Sequence, residues 1–359
     1  AETQLILSGD PPDVIMVPPQ SVSSWAYKGL LEPLDAYLTA DGVKTSDFIP
    51  PAWAYGLWQG KTYAMTLETD PNFAMLWNKD LFSKRGLDPE RGPKTLAEYE
   101  TAFEKLTELD ANGNAQTVGG EPWAVYGHNN TFITWSWIFG GKLYDPATGK
   151  ITADDPRNVE ALAFIHDYYK RYRSALAPSD FPGLDAGNDL VTGNPRVGMT
   201  FSVTSNFLSL VKNHPDANIG IDYEPYIPGQ SQPNPAWLGG WAVAIPKGAK
   251  NPKLSWQFIK QMTATAEGTQ TFAEPSGWVP VYLPSPIFKK YLADPYMKVY
   301  AQIAQTAQHH TPSIPVYADY GTAADQAVAD VLADKKLPKD ALAFVDQVVQ
   351  QKLDAALAK

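Results

Sequence analysis

Cysteine is absent from all 359 residues, which removes disulfides, thiolate metal ligands and cysteine nucleophiles together. A cysteine-free chain is compatible with an oxidising compartment without requiring one. No uninterrupted apolar run approaches the roughly 18–20 residues that a membrane-crossing helix needs. Lys/Arg-rich segments are missing too, and 29 basic against 39 acidic residues leave a formal net charge of −10. Tracking the phosphates of a nucleic acid takes clustered cations, so no nucleic-acid partner is expected. The opening residues carry no charged-then-apolar leader; a mature or trimmed chain would lack one in any case.

What remains is an ordinary globular composition, 44% hydrophobic and 19% charged. The length exceeds what one core comfortably organises and suits two domains. The distinguishing feature is aromatic: 11 Trp, 18 Tyr and 14 Phe make 12% of the chain. Much of this belongs in cores, yet several Trp stand in Gly-rich and polar stretches, where packing is a less automatic role.

Leu5-Ile6-Leu7 reads as a helix end, followed by a turn at Ser8–Pro12. Asp13–Val17 is a short apolar run suited to a buried strand. The spacing of Trp25, Leu30, Leu31 and Leu34 predicts helix over Ser23–Leu38. Asn72–Asn78 reads as a strand, and Leu96–Leu109 as an amphipathic helix with Thr95 as N-cap. The middle third alternates in the same way. Strands are expected at Trp123–Tyr126 and Val197–Phe201, with helices at Phe132–Phe139, Val159–Tyr172 and Phe207–Lys212. Trp241–Ile245 reads as a strand, Pro252–Met262 as a helix and Ala323–Leu357 as one long helix. Such alternation predicts α/β layers with mostly parallel sheets.

Several chemical signatures can be set aside. Asp110-Ala-Asn-Gly-Asn114, with Glu121 eleven residues on, mimics a calcium loop, but Ala115 stands where the tight turn requires Gly; a polar turn is expected. Gly56–Thr62 is one residue short of a phosphate-binding loop. Neither a Gly-x-Ser-x-Gly elbow nor a His-Glu-x-x-His motif occurs. His309 and His310 are adjacent, so their side chains diverge, and a solvated surface pair is expected. No metal and no cofactor is called for.

A series of short segments carries a family resemblance. It comprises Ser8–Val14, Gly29-Leu-Leu-Glu-Pro-Leu-Asp35, Asn78-Lys-Asp-Leu-Phe82, Gly140–Asp145, Val197-Gly-Met-Thr200, Leu238-Gly-Gly-Trp-Ala-Val-Ala-Ile-Pro246, Ser276-Gly277 with Pro280, and Ile314-Pro315. In this order, across nearly the whole chain, they resemble the extracellular sugar-binding proteins of ABC importers, the family typified by maltose-binding protein. The resemblance implies an α/β, two-lobed periplasmic-binding-protein fold with three inter-lobe crossings and a ligand cleft between the lobes. Lobe 1 would take residues 1–125 with 242–311, and lobe 2 residues 126–241 with 312–359. Members carry a further strand, helix and strand ahead of the Pro-Pro-Asp turn, so the first part of lobe 1 is expected to be missing here.

The implied function is capture of a mono- or oligosaccharide by a periplasmic or extracellular monomer, free or lipid-anchored, which delivers it to membrane permease subunits. Sugars present hydroxyl rims and weakly apolar faces, so their recognition needs aromatic planes together with fixed polar groups. By the resemblance these are Gln20 and Ser21 after the first core strand, and Glu68 and Asp70. Asn130, Trp135, Ser205, Gly239, Gly240, Trp241, Trp278 and Tyr317 complete the set. Glu68 and Asp70 lie two apart and so share a face of an extended chain. Trp135 is expected to face the ligand and Trp137 the core. Two other readings stay open: a receptor for a polyamine or other cation, drawn by an acidic aromatic cleft, and a carbohydrate hydrolase using the two carboxylates.

Overall fold

The computed structural model describes Gln4, Ile6, residues 8–183 and residues 190–358. Of the expected helix end at Leu5–Leu7, Leu5 and Leu7 lie outside the described residues, while Ile6 is helical and buried. The chain divides into two compact units: Ala1–Pro71, Leu238–Ala318 and Ala355–Lys359 in unit 1, and Asn72–Trp237 with Asp319–Asp354 in unit 2.

This division corrects the expected boundaries. Residues 72–125 group with unit 2, not with lobe 1, and the later boundaries fall at 237/238 and 318/319 rather than 241/242 and 311/312. The reason is strand pairing. Ala74–Asn78, expected in lobe 1, is hydrogen-bonded on both sides to segments from the middle of the sequence, Met199–Ser202 and Ile219–Tyr223. A fourth boundary at 354/355 lies inside the helix Pro338–Leu357.

Seven strands build the two main sheets: β1 (Ile15–Val17), β2 (Ala64–Thr69), β3 (Ala74–Asn78), β4 (Met199–Ser202), β5 (Ile219–Tyr223), β6 (Trp241–Ala244) and β7 (Val279–Pro280). Unit 1 orders its sheet β1-β6-β2-β7, and unit 2 orders its sheet β4-β3-β5. Neighbours in both sheets are antiparallel. Among the described residues the mostly parallel sheets expected from alternation are therefore not found. In unit 1 the cause is chain direction: β2 ends where the chain leaves the unit and β6 begins where it returns. Their crossing ends thus lie together, and the strands run oppositely.

The core of unit 1 gathers Ile15, Val17, Val22, Leu30 and Leu31 around Ala64, Ala242 and Ala244. Strand β2 is buried at all six positions, which is why its sequence does not alternate. In unit 2 the helices Leu96–Leu106, His128–Ile138 and Pro156–Tyr172 carry an aromatic cluster that includes Tyr99, Phe103, Trp135, Phe164 and Tyr168. Thr95 caps the first of these helices in a full capping box with Glu98.

Local backbone chemistry accounts for the other departures. The helix expected over Ser23–Leu38 breaks into Val22–Tyr27 and Asp35–Ala40, because Gly29 is left-handed (φ 68°) and Pro33 follows. The long C-terminal helix is two, Tyr317–Leu332 and Pro338–Leu357, parted where Asp334 turns to φ 55°. No strand forms at Trp123–Tyr126: Tyr126 (φ 58°) and Gly127 (φ 93°) turn the chain instead, and Thr131 Oγ1 accepts the Val125 N–H at 2.8 Å. Asp110 makes the expected polar turn, its Oδ1 accepting the N–H groups of Asn112 (2.8 Å) and Asn114 (2.9 Å).

Candidate functional site

Strand β2 delivers Glu68 and Asp70 to the end of the unit 1 sheet. Glu68 pairs with Trp241, the first residue of β6, on one side and with Pro280 of β7 on the other. Between Trp241 and Ala242 the register jumps from Glu68 to Thr66, so β2 bulges at Leu67. A bulge of this kind bends a strand and re-aims its side chains.

Gly239 and Gly240 let the returning chain lie directly on this segment. The Gly239 N–H donates to Asp70 O at 2.9 Å, and Thr69 Oγ1 donates to Gly239 O at 3.3 Å. Gly240 holds φ 112°, and a Cβ there would fall 2.3 Å from Glu68 O. Only glycine tolerates both the angle and the approach. Directly after it Trp241 is 37% exposed, whereas the other ten tryptophans are buried or half-buried.

The electrostatics of the two carboxylates are unusual. Glu68 is 1% exposed, and neither of its carboxylate oxygens accepts a protein hydrogen bond; Asp70 Oδ1 is likewise enclosed and unpartnered. Burial pushes Glu68 well above the usual carboxylate range, and the charge of Asp70 pushes it further. The Trp241 backbone N–H lies near enough to offset part of this without reaching hydrogen-bonding geometry. Burial alone raises Asp70 to about 6.

Beneath this end of the sheet, Tyr55 is the tie. Its hydroxyl donates to Leu238 O at 2.6 Å and accepts the Thr311 N–H at 2.9 Å. Nothing in the aromatic-rich stretch around Tyr55 singles out this hydroxyl in the sequence. The expectation of a solvated His309–His310 pair is corrected here. Both are half-buried, the His310 ring lies edge-on to Tyr55 at 5.1 Å, and burial lowers His309 to about 4, so it is neutral at physiological pH.

The remaining residues expected in the site are distributed as follows. In unit 1, Trp278 is half-buried against Phe272 (ring centroids 5.4 Å), one residue before the Val279–Thr69 pair and so on the Asp70 side. Gln20 and Ser21 are half-buried in the short turn Pro19–Ser21 that follows β1. Tyr317 is buried at the start of its helix. In unit 2, Asn130 turns its amide back onto Tyr126 O at 3.0 Å, and Ser205 is exposed in the first turn of the helix Thr204–Asn213. Trp135 is a correction. It is 0% exposed, packed on Tyr99, Phe164 and Phe201, and its Nε1–H donates to Pro122 O at 2.6 Å, while Trp137 is the half-buried one. Both lie on the helix His128–Ile138, whose apolar residues encircle it, so sequence spacing does not separate the two.

One buried acid went unsuspected. Glu224 of unit 2 is 1% exposed; its Oε1 accepts the Phe73 N–H at 3.1 Å, and burial raises its pKa well above the ordinary value.

The model of the bacterial extracellular solute-binding proteins matches residues 1–269. The chain belongs to that family. Among curated relatives this solute-binding protein is 25% identical over 343 residues to a maltotriose-binding protein of Pyrococcus abyssi, covering 92% of the chain and 68% of the relative. It is 23% identical over 266 residues to a maltooligosaccharide ABC transporter solute-binding lipoprotein of Streptococcus pneumoniae, covering 72% and 57% respectively. The chain thus spans between about half and two thirds of the length of such relatives. Among solved structures it is similar to the mannotriose-bound form of CpMnBP1, with a TM-score of 0.82 and 27% identity over 97% of this chain and 88% of that one. The fold of the solute-binding protein is accordingly the two-lobed periplasmic-binding type of mixed α/β class.

Proposed function

We propose that this solute-binding protein captures a mono- or oligosaccharide outside the cytoplasm and delivers it to the permease subunits of an ABC importer. The observation that carries this reading is the end of the unit 1 sheet. There Trp241, an exposed indole, pairs across the strands with Glu68, whose two oxygens, like Asp70 Oδ1, are enclosed and have no protein donor. Trp241 offers a plane for the apolar face of a sugar ring. Glu68 and Asp70 supply acceptors for its hydroxyls, and an analogue lacking those hydroxyls would leave buried acceptors unpaired. Two relatives, one named a maltotriose-binding protein and the other CpMnBP1 with mannotriose bound, support the same reading.

The ligand leaves unchanged. Glu68 and Asp70 sit two apart at the end of one strand, so they share one side of any ring they meet, whereas glycoside hydrolysis places its two carboxyl groups across the scissile bond. Gln20, Ser21, Trp278 and Tyr317 of unit 1, and Asn130 and Ser205 of unit 2, are the further contacts we assign; Trp135 is withdrawn. The protein works as a monomer, and a lipid anchor of the kind named in the streptococcal relative fits its role. Isothermal titration with a panel of gluco- and manno-configured oligosaccharides tests the reading. Saturable heat with at least one neutral sugar is expected, and a folded protein silent across the panel would overturn it.

A further inference from the structure

When ionised, Glu68 and Asp70 present more negative charge than a neutral sugar can balance. Sugar hydroxyls satisfy acceptor lone pairs, but they leave the cost of two enclosed charges uncompensated. Among the described residues no Lys, Arg or His forms an ion pair with either side chain; of the charged groups only Asp70 acts on Glu68, and it disfavours ionisation. Glu68 is enclosed and unpartnered at both oxygens, and Asp70 at Oδ1. Beside them stands the exposed indole of Trp241, whose face attracts cations. The net charge of −10 adds a general field of the same sign.

We propose that the Glu68–Asp70 end of β2 is a subsite for a protonated amine, so that the ligand is a carbohydrate bearing a free amino group. An ammonium supplies up to three N–H donors and one positive charge, which fills the empty acceptors and offsets the repulsion between the carboxylates. The inference rests on the carbohydrate reading and narrows its ligand class. A simple polyamine would meet the charge but would leave the hydroxyl-reading contacts without partners.

Binding of the ammonium has a proton balance. In the free protein the enclosed carboxyls hold protons above the ordinary carboxylate range. An ammonium beside them favours their ionised forms, so protons leave for the buffer as the ligand enters.

The test uses the whole chain and two matched sets of trisaccharides, gluco- and manno-configured. In each set one hydroxyl is kept, replaced by a free amine, or replaced by an acetamide. Titrations at about pH 6, in two buffers of different ionisation heat, read affinity and proton release together. In at least one set the amine is expected to bind about ten- to hundredfold more tightly than the hydroxyl form, the range of one added charge-assisted contact. Acetylation should abolish that gain. Proton release should accompany the amine alone and should fall in Glu68→Gln and again in Asp70→Asn, with circular dichroism confirming that each is folded. Equal or weaker binding of both amines, while a neutral member binds, overturns this inference and leaves the carbohydrate reading standing. An amine preference that survives both variants, or that comes without proton release, moves the subsite elsewhere and overturns it as well. Silence of every member overturns the carbohydrate reading, and the inference with it.

Discussion

Two tryptophans show how unequally single residues speak through a sequence. Trp241 follows two glycines, and that context already marked it as more than packing; it is 37% exposed next to Glu68. Trp241→Ala is expected to weaken sugar binding by about 2–4 kcal/mol, as loss of an aromatic anchor does, and to leave the melting temperature nearly unchanged. An unaltered affinity by calorimetry would remove Trp241 from the site. Trp135 lies on a helix with no polar face to orient it, and the ring that fills its surroundings comes from Tyr99, Phe164 and Phe201, residues distant in sequence. Sequence spacing could not place it. Trp135→Phe should cost about 1–3 kcal/mol of stability, through lost volume and an unmet Pro122 carbonyl. Its affinity at 25 °C should match that of the parent protein, and a large loss of affinity with full stability would argue the reverse.

At the level of elements, legibility followed local chemistry. Thr95 with Glu98 announced the start of the helix Leu96–Leu106, because capping is a contact between near neighbours. The pairing of β3 with β4 and β5 lies more than a hundred residues away in sequence, and no local signal reports it. The two glycines before β6 fall between these cases. Their presence signalled a close approach, but only the fold shows that the surface approached is the backbone of Glu68 and Thr69. Gly240→Ala places a methyl 2.3 Å from Glu68 O at a φ of 112°, so the returning segment must shift. The expected cost is roughly 1–3 kcal/mol of stability, with a fall in affinity as large as that of Trp241→Ala. Thermal unfolding and calorimetry on the same preparation decide the point; a variant with wild-type values in both would mean that the segment yields freely.

For the molecule as a whole, enclosed carboxyls shape the dependence on pH, and Asp346, raised to about 7 chiefly by burial, acts in the same sense as three others. Glu68, Asp70 and Glu224 all have raised values in the folded state. Between the unfolded and folded values the native protein holds more protons than the unfolded chain, so stability falls as pH rises through that window. The rise of Asp70 to about 6 alone corresponds to roughly 3 kcal/mol. The sugar-free protein should therefore melt at a higher temperature at about pH 5 than at about pH 7.5. Asp70→Asn should flatten the trend, and a melting temperature that climbs steadily from pH 5 to 7.5 would refute it. Surface carboxylates held by lysines and arginines, such as Glu98 with Arg91, act in the opposite sense only at lower pH and are worth little each.

The unit 1 sheet joins strands that begin at Ile15 and end at Pro280. Its central pair, β2 and β6, cannot form until the ribosome has passed residue 244. Until then unit 1 lacks the long-range contacts that close it, whereas the unit 2 sheet has all its strands by Tyr223. The interleaved layout thus postpones the completion of unit 1 until its returning segment has been made.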